Sequence, residues 1–164
     1  MGSLLSTGFF AWTGVDQRAM KVAAESDKAM GEVKVKVKLT NIKDVGLAEA
    51  GALAASEIRT CEIEGLVDTG AVRSVLPATV VQELGLKPYD RQMAQYANGQ
   101  REEVDLVDGV RFEIMNRRSS DDALVLGDEV LIGQTLLEKM DLLVDCTRRR
   151  LVPAHPDFPI NMVK

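Results

Sequence analysis

The strongest constraint on the fold is a run from Gly31 to Thr40 in which apolar and polar residues alternate strictly. Valine or leucine occupies every second position, and lysines fill most of the positions between them. A period of two predicts a β-strand with one face buried and the other in water. Lysines on the outer face would also protect an edge strand from pairing with other chains. We therefore expect the folded domain to begin with a strand just after Met30.

The segments that follow are mainly typical of strands and turns. Strands are predicted at Ile58 to Val67, in a hairpin from Met93 to Val104 that turns at Asn98-Gly99, at Val107 to Met115 paired with Ala123 to Leu126 across a polar turn from Asn116 to Asp122, and at Leu142 to Asp145 paired with Leu151-Val152. Short helices are predicted at Pro77 to Leu84 and Thr135 to Met140, with a single helical turn in the connection from Asp44 to Ser56. The pattern predicts an all-β domain with one or two short helices.

The chain length allows one domain and argues against two. The sequence has 164 residues, and residues 1–29 differ from the rest because they contain Gly, Ser and Thr and then an Ala, Lys, Glu and Asp stretch. We interpret residues 1–29 as an N-terminal extension, flexible or helical. Residues 30–164 are expected to form the domain, which ends in a proline-rich tail.

Composition excludes several classes of function. A net charge of -5 argues against a nucleic-acid binder, and no apolar run is long enough to predict a membrane helix. With one histidine, His155, and two cysteines, Cys61 and Cys146, a zinc site of the usual kind lacks ligands. Two thiols without a disulfide framework favour a reducing, cytoplasmic location. Any chemistry must therefore come from carboxylates, hydroxyls or a thiol, and we expect no metal or organic cofactor.

The candidate for that chemistry is Asp68, which ends an apolar strand and is followed by Thr69 and Gly70. A glycine there allows a tight turn with an amide close to the carboxylate, and the threonine hydroxyl can anchor the loop. Two such carboxylates within hydrogen-bonding distance would share a proton, so that one acts as a base on water while the other donates to a carbonyl oxygen. As a bare triplet, however, Asp-Thr-Gly is also typical of an ordinary turn.

The order of elements around this triplet resembles the retropepsin-like (clan AA) aspartic proteases, and in particular their prokaryotic single-domain branch. The resemblance covers about residues 30 to 157. It rests on the segment from Leu66 to Ala71, the hairpin at Asn98-Gly99, the apolar pair and glycine at Leu131 to Gly133, and the short helix that follows. It implies a closed β-barrel or sandwich of one lobe, a flap hairpin and aspartic endopeptidase activity.

The resemblance also implies roles for individual residues. Asp68 would be the catalytic aspartate and Thr69 would bond across the subunit interface, while Gly70 and Ala71 would form the cleft floor. The flap would close over substrate with the four residues at its tip, which are Tyr96, Ala97, Asn98 and Gly99. Val72 and Arg73 depart from the polar residue that often follows this motif, so Arg73 is expected to alter the charge around the cleft.

A single Asp-Thr-Gly in the chain predicts that a working site needs two copies. The resulting hypothesis is a homodimeric aspartic endopeptidase acting on a peptide or unfolded protein. The alternative is a non-catalytic dimeric peptide-binding module with the same fold. Other charged or reactive groups are interpreted as solvated loops or surface residues, namely Asp121-Asp122, Asp128-Glu129, Arg148 to Arg150 and His155.

Overall fold

The alternating run forms a strand, β1 (Val33–Asn41), in the computed structural model of the chain, which describes residues 31–160 and residue 163. The predicted extension, residues 1–29, lies outside the described residues. Val33, Val37 and Leu39 of β1 are buried, because alternate side chains of a strand face the same side. β1 is not an edge strand, since it pairs with one neighbouring strand along its length and with a second over Lys38 to Asn41.

The remaining elements confirm an all-β domain with few short helices. The strands are β2 (Thr60–Asp68), β3 (Ser74–Leu76), β4 (Pro88–Gln95), β5 (Arg101–Ile114), β6 (Arg117–Val125), β7 (Val130–Gly133), β8 (Leu142–Asp145) and β9 (Arg150–Pro153). The α-helices are α1 (Ile42–Glu49), α2 (Ala78–Glu83) and α3 (Gln134–Lys139), with a 3₁₀ turn at Ala55–Glu57. None of the described helices is long and apolar enough to cross a membrane.

Six strands close into a barrel. Their order is β1-β2-β7-β3-β6-β5, and β5 pairs back with β1 through Leu39 and Phe112, while β4 lies outside the closed set as an edge beside β5. Most neighbours are antiparallel, but β2 with β7 and β3 with β6 are parallel. Closure satisfies the backbone groups that an open sheet would leave at its edges. Phe112 is the only aromatic side chain in the described core, so aliphatic residues fill the barrel.

Two local predictions needed correction. The polar turn expected from Asn116 to Asp122 is much shorter, because Met115 and Asn116 have φ values of 52° and 64° and β6 begins at once. Two residues with positive φ are typical of a tight hairpin turn. The second correction is α1, a full helix where only one turn was expected, and the Asn41 side chain caps it by accepting the Lys43 N–H at 2.9 Å.

The predicted pair at the end of the chain, β8 and β9, forms a separate two-stranded sheet that does not join the barrel. The buried Arg117 ties this region to the barrel by donating to the carbonyl oxygens of Met140, Asp141 and His155. Although burial opposes ionisation of Asp141, hydrogen bonds from His155 and Arg117 outweigh it and hold its pKa below the usual value. The tail is therefore anchored as far as His155.

A buried carboxylate joins α1 to the start of β2. Asp44 accepts hydrogen bonds from Arg59 Nε and Nη2, both at 2.7 Å, and from the Arg59 backbone N–H at 3.0 Å. These bonds to Arg59 lower the pKa of Asp44 from 3.8 to about 2, against the opposing effect of burial. The pair therefore stabilises the fold only while Asp44 is ionised.

We expect Asp44→Asn to lower the free energy of unfolding by about 2 kcal/mol near neutral pH, because the charge-assisted bonds to Arg59 are lost. Since the folded-state pKa lies below the unfolded value of 3.8, this stabilisation is present above about pH 4 and disappears as the pH falls through about 2. Denaturant unfolding of wild type and variant across this range measures the difference between them.

Asp108→Asn is the matched control for this prediction. Asp108 pairs with Lys43 of α1 at 2.9 Å, but both side chains are largely exposed, so its loss is expected to cost less than about 0.5 kcal/mol. A difference between wild type and Asp44→Asn that stays constant down to pH 2 would contradict the assignment.

Candidate active site

The pairing of two parallel strands determines where Asp68 lies. Asp68 is the last residue of β2, and the register pairs Leu66 with Leu131 and Asp68 with Gly133 at the end of β7. Parallel strands that start in register also end at the same edge of a sheet. The Asp-Thr-Gly loop and the apolar-apolar-glycine segment, which are far apart in sequence, therefore leave the barrel side by side.

One backbone hydrogen bond orients the Asp68 carboxylate, and a second closes the turn that follows it. The Gly70 N–H donates to Asp68 Oδ1 at 2.9 Å, and the Ala71 N–H donates to the Asp68 carbonyl oxygen at 3.2 Å. Thr69 and Gly70 are themselves exposed, so the loop presents its outer side to solvent in a single chain.

Backbone amides at the start of α3 donate hydrogen bonds to this loop. The Gln134 N–H donates to the Ala71 carbonyl oxygen at 2.8 Å, and the Thr135 N–H donates to the Val72 carbonyl oxygen at 3.2 Å. In addition, the Gly133 N–H donates to Ser74 Oγ at 3.1 Å. These contacts connect the second half of the loop after Asp68 to the β7–α3 junction.

Sequence reasoning missed Ser74 as part of this support. It is fully buried although it is polar, and a buried hydroxyl requires a hydrogen-bond partner. The available signal was a serine directly before the apolar pair Val75-Leu76, where an apolar residue would suit a buried strand better. Its partner lies 59 residues away, so the contact itself could not be read from the local sequence.

A groove of about 800 Å³ runs past Asp68. The loop residues Asp68 and 70–73 form one wall, the inner hairpin residues 92–97 form the other, and apolar side chains such as Leu124, Leu126 and Leu131 line the space between them. We call this space the groove. A second concavity of about 550 Å³ lies among Lys and Glu side chains of β1, β2 and β5, and Asp68 does not line it. The groove is the candidate site because it combines an apolar lining with a carboxylate held in place by a backbone amide.

The predicted hairpin is present, as β4 and β5, and its tip contributes unequally to the groove. Tyr96 and Ala97 line the groove, whereas Asn98 and Gly99 form the exposed turn and do not. Gly99 has a φ of 84° and donates its N–H to the Tyr96 carbonyl oxygen at 2.9 Å. The Tyr96 hydroxyl donates to Glu102 at 2.7 Å, which raises the tyrosine pKa and braces the hairpin across its strands.

A polar cluster lies where Arg73 enters the groove. Arg73 Nη1 is 3.4 Å from Asp122 Oδ2, and the same oxygen accepts the Tyr89 hydroxyl at 2.9 Å. The expectation that Asp121 and Asp122 occupy a polar turn was wrong, because both lie within β6, where Asp121 pairs with Lys139. Within the described residues, no three His, Cys, Asp or Glu side chains are grouped to hold a metal ion.

The closest backbone approach in the site occurs at Gly133. A Cβ atom added there would lie 2.5 Å from the Arg73 carbonyl carbon and 2.8 Å from the Ser74 nitrogen. Since these are backbone atoms, they cannot move aside by a side-chain rotation. Glycine at this position therefore allows the two loops to meet.

We expect Gly133→Ala to lower the free energy of unfolding by about 2 kcal/mol or more, because the methyl group forces the two backbones apart. The control is Gly46→Ala in α1, where an added Cβ has open space and alanine should be neutral or stabilising by up to about 1 kcal/mol. Thermal or denaturant unfolding compares the two, and equal stability of both variants would refute the packing argument.

Comparison with known families agrees with this arrangement. A family model described as aspartyl protease matches residues 55–141, just over half of the chain, which is the span from the 3₁₀ turn to two residues beyond α3. No curated protein matches the chain in sequence. The matched residues contain Asp68, the hairpin and Gly133, and form most of the barrel described above. The chain belongs to an aspartyl protease family of the retropepsin-like clan.

Proposed function

We propose that this protein is a homodimeric aspartic endopeptidase in which Asp68 of each chain supplies one catalytic carboxylate. The observation that carries the proposal is the position of Asp68 at the side of the groove, with its carboxylate held by the Gly70 N–H at 2.9 Å. Family membership supports a peptidase in general. The dimer and the paired carboxylates are the further content of the proposal.

The need for two chains follows from the composition of the groove. Among the described residues that line it, Asp68 is the only carboxylate, and the sequence contains one Asp-Thr-Gly. A two-fold axis beside the loop would bring a second Asp68 to the first. The exposed Thr69 and the Val72 side chain, 73% exposed, provide a surface that such a partner would cover.

In the proposed reaction, two adjacent carboxylates share one proton because both cannot be ionised at close range. The ionised Asp68 removes a proton from water, whose oxygen forms a bond to the carbonyl carbon of the substrate. The protonated Asp68 of the other chain gives its proton to the carbonyl oxygen. The first Asp68 then gives the proton it took from water to the amide nitrogen, and the other Asp68 takes a hydroxyl proton from the tetrahedral intermediate. The C–N bond breaks, which releases an amine and a carboxylic acid and leaves one proton shared by the two carboxylates.

The groove suits an extended segment of an unfolded protein. Its walls are the Asp68 loop and the hairpin, and its floor is apolar at Leu124, Leu126 and Leu131. Burial of apolar substrate side chains against this floor would favour binding, because it removes apolar surface from water. A folded protein would not present such a segment, so we propose peptides or unfolded chains as substrates.

The alternative function is a dimeric peptide-binding module without catalysis. The observation that favours it is that one chain alone provides both walls and the apolar floor of the groove. A peptide would therefore be held whether or not two carboxylates come together. The assay below distinguishes the two functions.

We also propose a cytoplasmic location. The two cysteines, Cys61 and Cys146, are free thiols, one half-buried and one exposed. A reducing compartment keeps thiols in this state.

Asp68→Asn should reduce proteolysis by about a hundredfold or more, because an amide can neither accept the proton of water nor share one with its partner. An unstructured protein incubated with wild type and variant from acidic to neutral pH, followed by gel and mass analysis, measures the loss. Asp128→Asn, in an exposed loop before β7, is the matched control and should retain activity. Sizing chromatography should show an intact dimer for all three proteins.

The endopeptidase proposal would be refuted if the wild type cleaved nothing at any pH, or if Asp68→Asn cleaved as well as the wild type. Binding of the same unstructured protein without cleavage would favour the alternative function. A monomer that cleaves at full rate would contradict the shared site.

Mixing wild-type subunits with an excess of Asp68→Asn subunits tests the shared site independently. If two chains form one site and exchange freely, a ninefold excess of variant leaves only about one-tenth of wild-type chains with a wild-type partner, and activity should fall in proportion. Each chain carrying its own site would instead leave the activity unchanged.

A further inference from the structure

We propose that Arg73 is a specificity-determining residue that favours an acidic side chain in the bound peptide. This inference rests on the proposed function, because it assigns a substrate class to the same groove. It starts from the charges that the groove presents. Among the described lining residues, Arg73 is the only cation and Asp68 is the only anion.

The backbone of Arg73 is held firmly beside the catalytic loop. Its carbonyl group packs against Gly133. The residues on either side of it both accept hydrogen bonds, Val72 from the Thr135 N–H and Ser74 from the Gly133 N–H. The side chain therefore projects from a rigid base. A charge on a rigid element discriminates between ligands better than one on a mobile loop.

Two residues from neighbouring strands orient the guanidinium. Asp122 of β6 accepts hydrogen bonds from Arg73 Nη1 and from the hydroxyl of Tyr89 on β4, both at the same carboxylate oxygen. The hydrogen bond to Asp122 raises the tyrosine pKa, so the hydroxyl keeps the proton that it donates. Asp122 and Tyr89 are positioning residues in this proposal.

The ion pair with Asp122 leaves hydrogen-bond donors of the Arg73 guanidinium available for a ligand. The distance of 3.4 Å is longer than the 2.7–2.9 Å usual for charge-assisted bonds, while Tyr89 bonds the same oxygen at 2.9 Å. The pair involves one nitrogen, and a guanidinium has five N–H donors in a planar fork that fits a carboxylate. Since the Arg73 side chain is 39% exposed, a glutamate or aspartate side chain can reach it from the groove.

The expected preference is moderate, because the contact is partly exposed to water. An ion pair of this kind favours binding by up to about fivefold over the neutral isostere, and salt reduces the effect. The preference should occur at one subsite of the peptide, the one whose side chain points towards Arg73. A lysine at that subsite should be disfavoured.

The test uses a peptide library of random sequence to find cleaved bonds, and then matched peptides that carry Glu, Gln or Lys at each flanking position. In wild type, kcat/KM should be about fivefold higher for Glu than for Gln at one position. In Arg73→Gln this ratio should fall to about one, and in Arg73→Glu the Lys peptide should become the preferred substrate. Because the ratio is taken within each variant, a general loss of activity cancels.

Arg91→Gln is the matched control. Arg91 lies on β4 and pairs with Asp105 at 3.2 Å, but it is not among the residues that line the groove. The control should keep the wild-type ratio between Glu and Gln peptides. Loss of the ratio in this variant as well would assign the preference to general surface charge and overturn the inference.

Binding of the same peptides to Asp68→Asn, measured by fluorescence anisotropy, separates this inference from the proposed function. If wild type cleaves no peptide but Asp68→Asn binds Glu peptides in preference to Gln peptides through Arg73, the endopeptidase proposal fails and the role of Arg73 stands. If peptides are cleaved or bound with no Glu preference, or with a preference that survives Arg73→Gln, the role of Arg73 is refuted.

Discussion

The parallel pairing of β2 with β7 is the contact on which the rest of the site depends. It places Asp68 beside Gly133, and the missing side chain of that glycine allows the Arg73 backbone to pack against it. The hydrogen bond from the Gly133 N–H to the Ser74 hydroxyl oxygen then ties the end of β7 to the start of β3. A carboxylate on an unsupported turn would sample many orientations, whereas here the barrel itself sets its direction.

This support also bears on what the proposed dimer would add to a single chain. One chain provides a carboxylate held by a backbone amide, an apolar floor and a covering hairpin, but only one acid among the described residues that line the groove. The chemistry proposed for it needs two acids that share a proton. Binding of a peptide would thus be a property of the single groove, while hydrolysis would be a property of the dimer.

Sequence patterns predicted the elements with strong local signals. Alternation identified β1, the Asn98-Gly99 pair indicated the hairpin, and Pro77 and Gly85 bounded a helix close to the observed α2. The shortcomings came where a local signal was weak or misleading. Met115 adopts a positive φ that its side chain does not favour, because β5 and β6 impose a tight turn there.

By itself, the sequence determined the all-β character of the domain, the position of Asp68 after an apolar strand, and the presence of one Asp-Thr-Gly. These follow from periodicity and residue order, which are local properties. Only the tertiary structure decided that β5 closes the barrel against β1 and that Arg73 meets Asp122, 49 residues away. Such contacts depend on how strands pair across the barrel, and no local pattern in the sequence encodes that distance.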